Sequence, residues 1–212
     1  MKKNLNFYIT LWIVKLISAG LKLLGKNATY YPGKLALDMC PGFMGMLDKP
    51  KTIIGVTGKN GKTTVSNMIN DILIDNGYKI INNKYGSNID AGIATTLLQG
   101  ATLFGKSKKE IAVLEIDERS APKVFPYITP TYLLCTNIFR DSLMRNAHTE
   151  FISEIVSKNV PKDTIVIENA DDLICSGIAP NNAKIYFSID KLDTDTKEPH
   201  NIVRDIITCP VC

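Results

Sequence analysis

A chain of 212 residues, 45% apolar and 22% charged, can close one substantial core with an appendage, or two small ones, without disulfide or metal staples. Its net charge of +4, from 25 basic and 21 acidic residues, is too small and too dispersed for a nucleic-acid partner. Five cysteines, an odd number with Cys40, Cys135 and Cys175 set among apolar neighbours, exclude a disulfide framework and argue for a reducing compartment, the cytoplasm.

Residues 1–50 read as an N-terminal helical segment and residues 51–212 as the main domain. The stretch 5–24 is almost wholly apolar and, as a helix, about 30 Å long. Lys15 in its middle is costly in hydrocarbon, and Ser18-Ala19-Gly20 is a poor cleavage site because apolar residues resume after it. Three readings stay open for it: a helix docked on the domain, a helix lying on a membrane surface, or a span. A turn near Tyr31-Pro32-Gly33 leads to a short helix over 34–40, and Pro50 reads as the end of a linker. An α/β alternation follows: a strand over 52–57, a helix over 62–76 closed by Gly77, a strand over 79–81 and a helix over 90–98. The chain continues with a strand over 111–116, a short helix over 119–125, a strand over 132–135, a helix over 150–158, and strands over 164–167 and 184–187. Residues 190–200 read as a polar loop or hairpin tip. Strands alternating with helices predict a mostly parallel sheet, and continuously apolar strands predict helices on both faces, the α/β architecture of P-loop nucleotide-binding domains.

The sharpest signal is Ile53-Ile54-Gly55-Val56-Thr57-Gly58-Lys59-Asn60-Gly61-Lys62-Thr63-Thr64. A strand feeds a glycine-containing turn that opens a helix, whose first amides are unpaired and carry the positive end of the helix dipole. Gly58 and Gly61 let the backbone close on an anion. Lys62 can reach the β- and γ-phosphate oxygens, and Thr63 can ligate Mg²⁺ through its hydroxyl. The usual pattern has a glycine five residues before Gly61; Val56 stands there instead.

This G-x-x-G-K-T-T variant resembles the ATP loop of the Mur ligase superfamily, which joins amino acids to a carboxyl group activated as an acyl phosphate. Further matches follow in order: Leu114-Glu115-Ile116-Asp117-Glu118 is similar to the family's metal-binding carboxylate segment, Thr136-Asn137-Ile138-Phe139-Arg140-Asp141 to its Asn-containing stretch, and Asn169-Ala170-Asp171-Asp172 to its turn near the nucleotide. With Pro32-Gly33-Lys34-Leu35-Ala36-Leu37, the Asn88 region and Cys209-Pro210-Val211-Cys212, the resemblance runs closest to the MurT-type branch, the ligase-like subunits of lipid II isoglutaminyl synthase.

The resemblance implies ATP and Mg²⁺ as cofactors, a lipid II-type substrate, a GatD-type glutamine amidotransferase partner, and a cytoplasmic site at the inner face of the membrane. It implies Lys62 and Glu115 as catalytic groups and Thr63 and Glu115 as Mg²⁺ ligands. Gly58, Lys59, Asn60, Gly61, Lys62, Thr63, Thr64, Asn88, Asn137, Arg140, Asp141, Asn169, Asp171 and Asp172 are the implied nucleotide contacts. Plainer readings stand beside these. Glu115 could pair with a nearby lysine or arginine, Asn137 could form an Asx turn, Arg140 and Asp141 could be a solvated pair, and Asp171 could cap a helix. Asp117 and Glu118 read as supporting or surface groups, and neither His148 nor His200 is assigned to catalysis. Cys209 and Cys212 resemble the first half of a four-cysteine zinc ribbon; zinc here needs Cys40, Cys175, a histidine or another chain, and in a full-length parent a second cysteine pair. The chain stops before that pair and before the family's C-terminal domain, and Met144 stands where the family usually has an acidic residue. The competing expectations are a nucleotide-binding module without turnover and another member of the superfamily, such as a folylpolyglutamate synthase-like enzyme.

Overall fold

In the computed structural model, which describes residues 1–84, 87–138 and 149–194, the chain builds one parallel sheet of six strands in the order β2-β3-β1-β4-β5-β6. The strands are β1 (Thr52–Thr57), β2 (Ile80–Asn82), β3 (Ile111–Glu115), β4 (Tyr132–Cys135), β5 (Ile165–Asn169) and β6 (Lys184–Phe187). β1 lies in the middle, with Gly55 opposite Leu114 of β3 and Leu133 of β4. From β1 the chain runs out to β2 and returns through β3, then crosses to β4 on the other side. That reversal opens a crevice beyond the carboxyl end of β1, where open α/β sheets bind ligands.

Seven α-helices accompany the described strands: α1 (Leu5–Leu23), α2 (Tyr31–Met39), α3 (Phe43–Met46), α4 (Lys62–Asp75), α5 (Asp90–Gly100), α6 (Ala121–Val124) and α7 (Thr149–Asn159). The central strands are buried on both faces, as their apolar runs require: Ala112, Val113, Leu114, Leu133 and Val166 are wholly inaccessible. The buried cluster continues from these strands through Ile93, Ala94 and Leu98 of α5 into Ala36 of α2, Phe43 of α3 and Phe7, Leu11 and Val14 of α1. Each of those α1 side chains contributes about 1.5–3 kcal/mol over an exposed position. Farther out, β6 is tied to β5 by Lys184, whose Nζ donates to both carboxylate oxygens of buried Glu168 at 3.0 and 2.9 Å.

Local differences from the sequence expectations have physical causes. The helix expected over 34–40 starts earlier, at Tyr31, because Pro32 falls in its first turn, where a missing amide costs nothing. α3 is a further single turn, entered through Gly42 at φ +83°. The expected helix over 119–125 is a 3₁₀ turn (Glu118–Ser120) running into α6, with the Asp117 carboxylate accepting from the Arg119 amide at 3.0 Å. In α4 Ser66 and Asn70 are buried and Val65, Ile69 and Leu73 half-buried, while Met68 and Ile72, which share the same helical apolar spacing, face solvent. The loop that feeds α4 sets its rotation, so the helix presents its start to the crevice and only part of its apolar stripe to the sheet.

Candidate phosphate and cation site

β1 ends at Thr57 and the chain turns through residues 58–61 into α4. Two glycines make that turn. Gly58 has φ +120°, and a Cβ there would lie 2.3 Å from Thr136 Oγ1 and 2.9 Å from the Asn137 carbonyl oxygen, so no larger residue fits. Gly61, at φ +79°, has open space around its missing Cβ; the left-handed backbone alone selects glycine. Val56 is fully buried inside β1, paired with Glu115 and Leu134, so the variant position belongs to the sheet and not to the cradle.

The β4 end holds the loop in shape. Lys59 N donates to the Asn137 carbonyl at 2.8 Å, Asn60 N to Asn137 Oδ1 at 2.9 Å, and Asn137 Nδ2 returns a bond to the Asn60 carbonyl at 3.0 Å. Thr136 Oγ1 donates to the same carbonyl at 2.7 Å. These bonds occupy the Lys59 and Asn60 amides and fix the shape of the loop before any ligand arrives. At the start of α4 the first intrahelical bond runs from Val65 N to the Gly61 carbonyl, which leaves the amides of Lys62, Thr63 and Thr64 without intrahelical partners. This end of the helix attracts an anion.

Lys62 lies inside this turn. Its Nζ bonds the Gly58 carbonyl and donates to Glu118 Oε1 at 2.9 Å; both side chains are about nine-tenths covered. Glu118 Oε1 also accepts from Gly58 N at 3.0 Å. On the β3 side, Thr63 Oγ1 donates to Glu115 Oε2 at 2.8 Å and Asn88 Nδ2 to Glu115 Oε1 at 3.2 Å. The Glu115 backbone is clamped by Asn83, whose Oδ1 accepts from Glu115 N at 2.9 Å and whose Nδ2 donates to the Glu115 carbonyl at 2.8 Å. A hydroxyl, a carboxylate and a carboxamide oxygen are the hard donors that Mg²⁺ accepts. Among the described residues no three Asp, Glu, His or Cys side chains cluster, but Mg²⁺ needs only one or two carboxylates when substrate phosphates complete its shell.

Residues 56–205 match the model of the Mur ligase middle domain. The chain belongs to the Mur ligase family. Curated relatives of this Mur ligase chain include the lipid II isoglutaminyl synthase (glutamine-hydrolyzing) subunit MurT of Streptococcus pneumoniae, 35% identical over 91% of this chain and 42% of that protein. The MurT subunit of Staphylococcus aureus strain COL is 33% identical over 76% of this chain and 36% of its own length. The chain therefore spans about four-tenths of the length of these relatives. Among solved structures, a MurF from Acinetobacter baumannii superposes with a TM-score of 0.57 at 20% identity, over 72% of this chain and 34% of that one. A MurF ligase from Thermotoga maritima, in complex with ADP, gives 0.51 at 19% identity, over 74% and 35%. At such identities the structures bear on the fold, and they share the parallel sheet with flanking helices.

In this Mur ligase fold the remaining candidates lie at the carboxyl ends of β4 and β5, each with backbone partners. Asn169 Nδ2 donates to the Thr136 carbonyl at 2.9 Å, and its Oδ1 accepts from Asp171 N at 3.0 Å. Asp172 Oδ2 accepts from Ile138 N at 2.7 Å, and its Oδ1 from the amides of Ile174 and Cys175, each at 3.0 Å. Asp171 Oδ2 accepts from Ile189 N at 2.9 Å. These groups join β5, the turn after it and the Asn137 segment. Arg140, Asp141, Cys209 and Cys212 lie outside the described residues, as do Met144, His148 and His200. Cys40 and Cys175 are buried. Cys175 Sγ bonds the Cys135 carbonyl at 3.3 Å, and contact with Cys175 together with burial pushes the Cys135 thiol well above its ordinary range.

One residue of the site, Asn83, escapes a reading of the sequence, and another, Glu118, is only half read by it. Of the two readings of Glu118, supporting or surface, the structure selects the first: it is buried against Lys62 and Gly58. Its signal was weak: the third carboxylate of Glu115-Ile116-Asp117-Glu118 turns inward only because the 3₁₀ turn folds it under the loop. Asn83 carried no signal beyond following β2.

Proposed function

We propose that this Mur ligase chain is the ATP-binding part of an amide-forming ligase of peptidoglycan synthesis. In this proposal the enzyme activates the α-carboxylate of D-glutamate in lipid II as an acyl phosphate, which ammonia from a GatD-type glutaminase partner converts to D-isoglutamine. The observation that carries it is the loop over residues 58–64, where oriented amides, Lys62 and the Thr63–Glu115 pair converge at one helix start. The names of the MurT relatives support the substrate.

The chemical demand is that an anionic carboxylate attack an anionic γ-phosphate. The amides at the start of α4 and the Lys62 ammonium offset that repulsion by charge already in place. Glu118, hydrogen-bonded to Lys62 and Gly58, keeps the ammonium inside the turn. Thr63, Glu115 and Asn88 would hold Mg²⁺, which supplies charge neutralisation at the β- and γ-phosphate oxygens. Asn137, bonded to the Lys59 and Asn60 amides and the Asn60 carbonyl, holds the loop in shape. Asn169, Asp171 and Asp172 carry the turn that borders the nucleotide, and the resemblance to the family adds Arg140 and Asp141 as nucleotide contacts. In a longer parent chain, Cys209 and Cys212 would form half of a zinc site. The reaction belongs in the cytoplasm at the inner membrane face, with α1 as the element that meets lipid.

Release of ADP from ATP, measured with lipid II, glutamine and a GatD-type partner, tests the proposal. Release should require lipid II and a source of ammonia. Binding of ATP without release under all these conditions would make the chain a nucleotide-binding module, and release driven instead by a folate-type glutamate acceptor would make it folylpolyglutamate synthase-like.

A further inference from the structure

Helix α1 is apolar on two opposite faces, and among the described residues only one is covered. Phe7, Thr10, Leu11, Val14 and Ser18 face the core. On the opposite side Leu5, Ile9, Trp12, Ile13, Leu16 and Leu23 recur at three- and four-residue spacing, with Leu16 76% and Leu23 89% exposed. A surface helix of a water-soluble domain carries polar residues there. The face is widened by the loop between α5 and β3: Leu103 is 60% and Phe104 65% exposed, and Trp12 Nε1 donates to the Leu103 carbonyl at 2.9 Å, which locks loop to helix.

The charge around this face is mostly positive; Asp48, whose amide donates to the Gly105 carbonyl at 2.9 Å, pairs with Lys3 at 2.9 Å and offsets one of its lysines. Residues 1–30 contain Lys2, Lys3, Lys15, Lys22 and Lys26 and no carboxylate, and residues 101–109 contain Lys106, Lys108 and Lys109 and none. Lys15 bonds the Leu98 and Ala101 carbonyls at 2.9 and 2.7 Å; burial and then the nearby Lys108 and Lys22 ammoniums hold its pKa below the ordinary value. The contrast with α4 is informative: that helix also exposes Met68 and Ile72, but Asp71 and Asp75 lie among them.

We propose that α1 and the Leu103–Phe104 loop together form an interfacial surface that lies on anionic lipid. Apolar side chains and an indole at the headgroup level, with lysines at the flanks, are the chemistry of such a surface. The proposal deepens the reading of a membrane-borne substrate, and rests on that reading for its role; its physical basis is independent of the anion loop. Lys15 stays bonded to the domain, so α1 lies along the bilayer and does not cross it.

Trp12 is the one tryptophan in the sequence, so tryptophan emission, excited clear of the eight tyrosines, reports this surface alone. The full chain is titrated with vesicles of phosphatidylcholine alone and of phosphatidylcholine mixed with phosphatidylglycerol, with no substrate or nucleotide. Trp12 emission should shift to the blue and the chain should co-sediment with the anionic vesicles, about tenfold or more better than with neutral ones, the difference shrinking in high salt. Leu16→Glu, and separately Phe104→Ser in the loop, should each lower vesicle binding about tenfold with the circular dichroism spectrum unchanged. Equal binding by both variants, or no binding to either vesicle, overturns the proposal. So does a concentration-dependent dimer in sedimentation velocity that Leu16→Glu dissociates, since the face would then bind a second copy. Failure here leaves ATP turnover untouched, and failure of turnover leaves vesicle binding untouched.

Discussion

The two flanks of the anion loop are built from similar residues and used in opposite ways. On the β3 side, Thr63, Glu115 and Asn88 bond one another through side-chain oxygens and nitrogens that a cation could take over. On the β4–β5 side, Asn137, Asn169 and Asp172 spend their side chains on backbone amides and carbonyls. One flank is exchangeable chemistry; the other is scaffold. The same Asn and Asp that look alike as letters are separated by what their partners are: main-chain groups on one flank, side-chain atoms that a cation could replace on the other.

That contrast can be broken by mutation. The largest effect is expected on the scaffold flank. Asp172→Ala orphans the amides of Ile138, Ile174 and Cys175, and should cost about 2–3 kcal/mol in urea unfolding. A loss below about 0.5 kcal/mol would show that water replaces the carboxylate and that Asp172 is available to a ligand.

A control remote from both flanks is next in size. Burial holds Lys49 down to about 8 from its ordinary 10.5, with Asp48 pushing the other way. Between those values the unfolded chain binds the proton and the folded chain does not, so stability rises with pH across about 8 to 10.5. The rise should be about 1–2 kcal/mol after allowance for solvent screening and should vanish in Lys49→Gln, measured as urea midpoints against pH. An identical pH slope in the variant would assign the rise to other groups.

The smallest effect is expected on the exchangeable flank. Glu115→Gln keeps the shape and removes the charge. The gain in nucleotide affinity on adding Mg²⁺ should fall about tenfold, or about 1.4 kcal/mol, while the unfolding midpoint barely moves. A large loss of stability with the Mg²⁺ effect intact would make Glu115 scaffold as well.

How much of this could be read from the letters depends on range. The loop was legible because strand, Gly58, Gly61, Lys62 and helix are contiguous, and each has a local physical reason. The strands were legible because residues 52–57, 111–115 and 132–135 are apolar runs, although helix and strand ends shifted by a few residues. Glu115 could be picked out by its position at the end of β3. Glu118 could not, because its burial depends on a 3₁₀ turn and on contact with Gly58, 60 residues away in sequence. Nor could the rotation of α4, where apolar spacing pointed Met68 and Ile72 inward and the loop geometry turned them out. The double apolar character of α1 was plain in the sequence; which half meets the core took the packing of Phe7, Leu11 and Val14 to decide.

The central claim is that the Lys62 ammonium and the amides at the start of α4 grip a triphosphate. The direct measurement is calorimetric ATP affinity in Lys62→Ala/Glu118→Gln, set against Glu118→Gln alone so that no buried carboxylate is left unpaired. Loss of Lys62 should weaken binding about 100-fold, or about 2.7 kcal/mol, with the fold intact. Equal affinity in the two proteins would contradict the account.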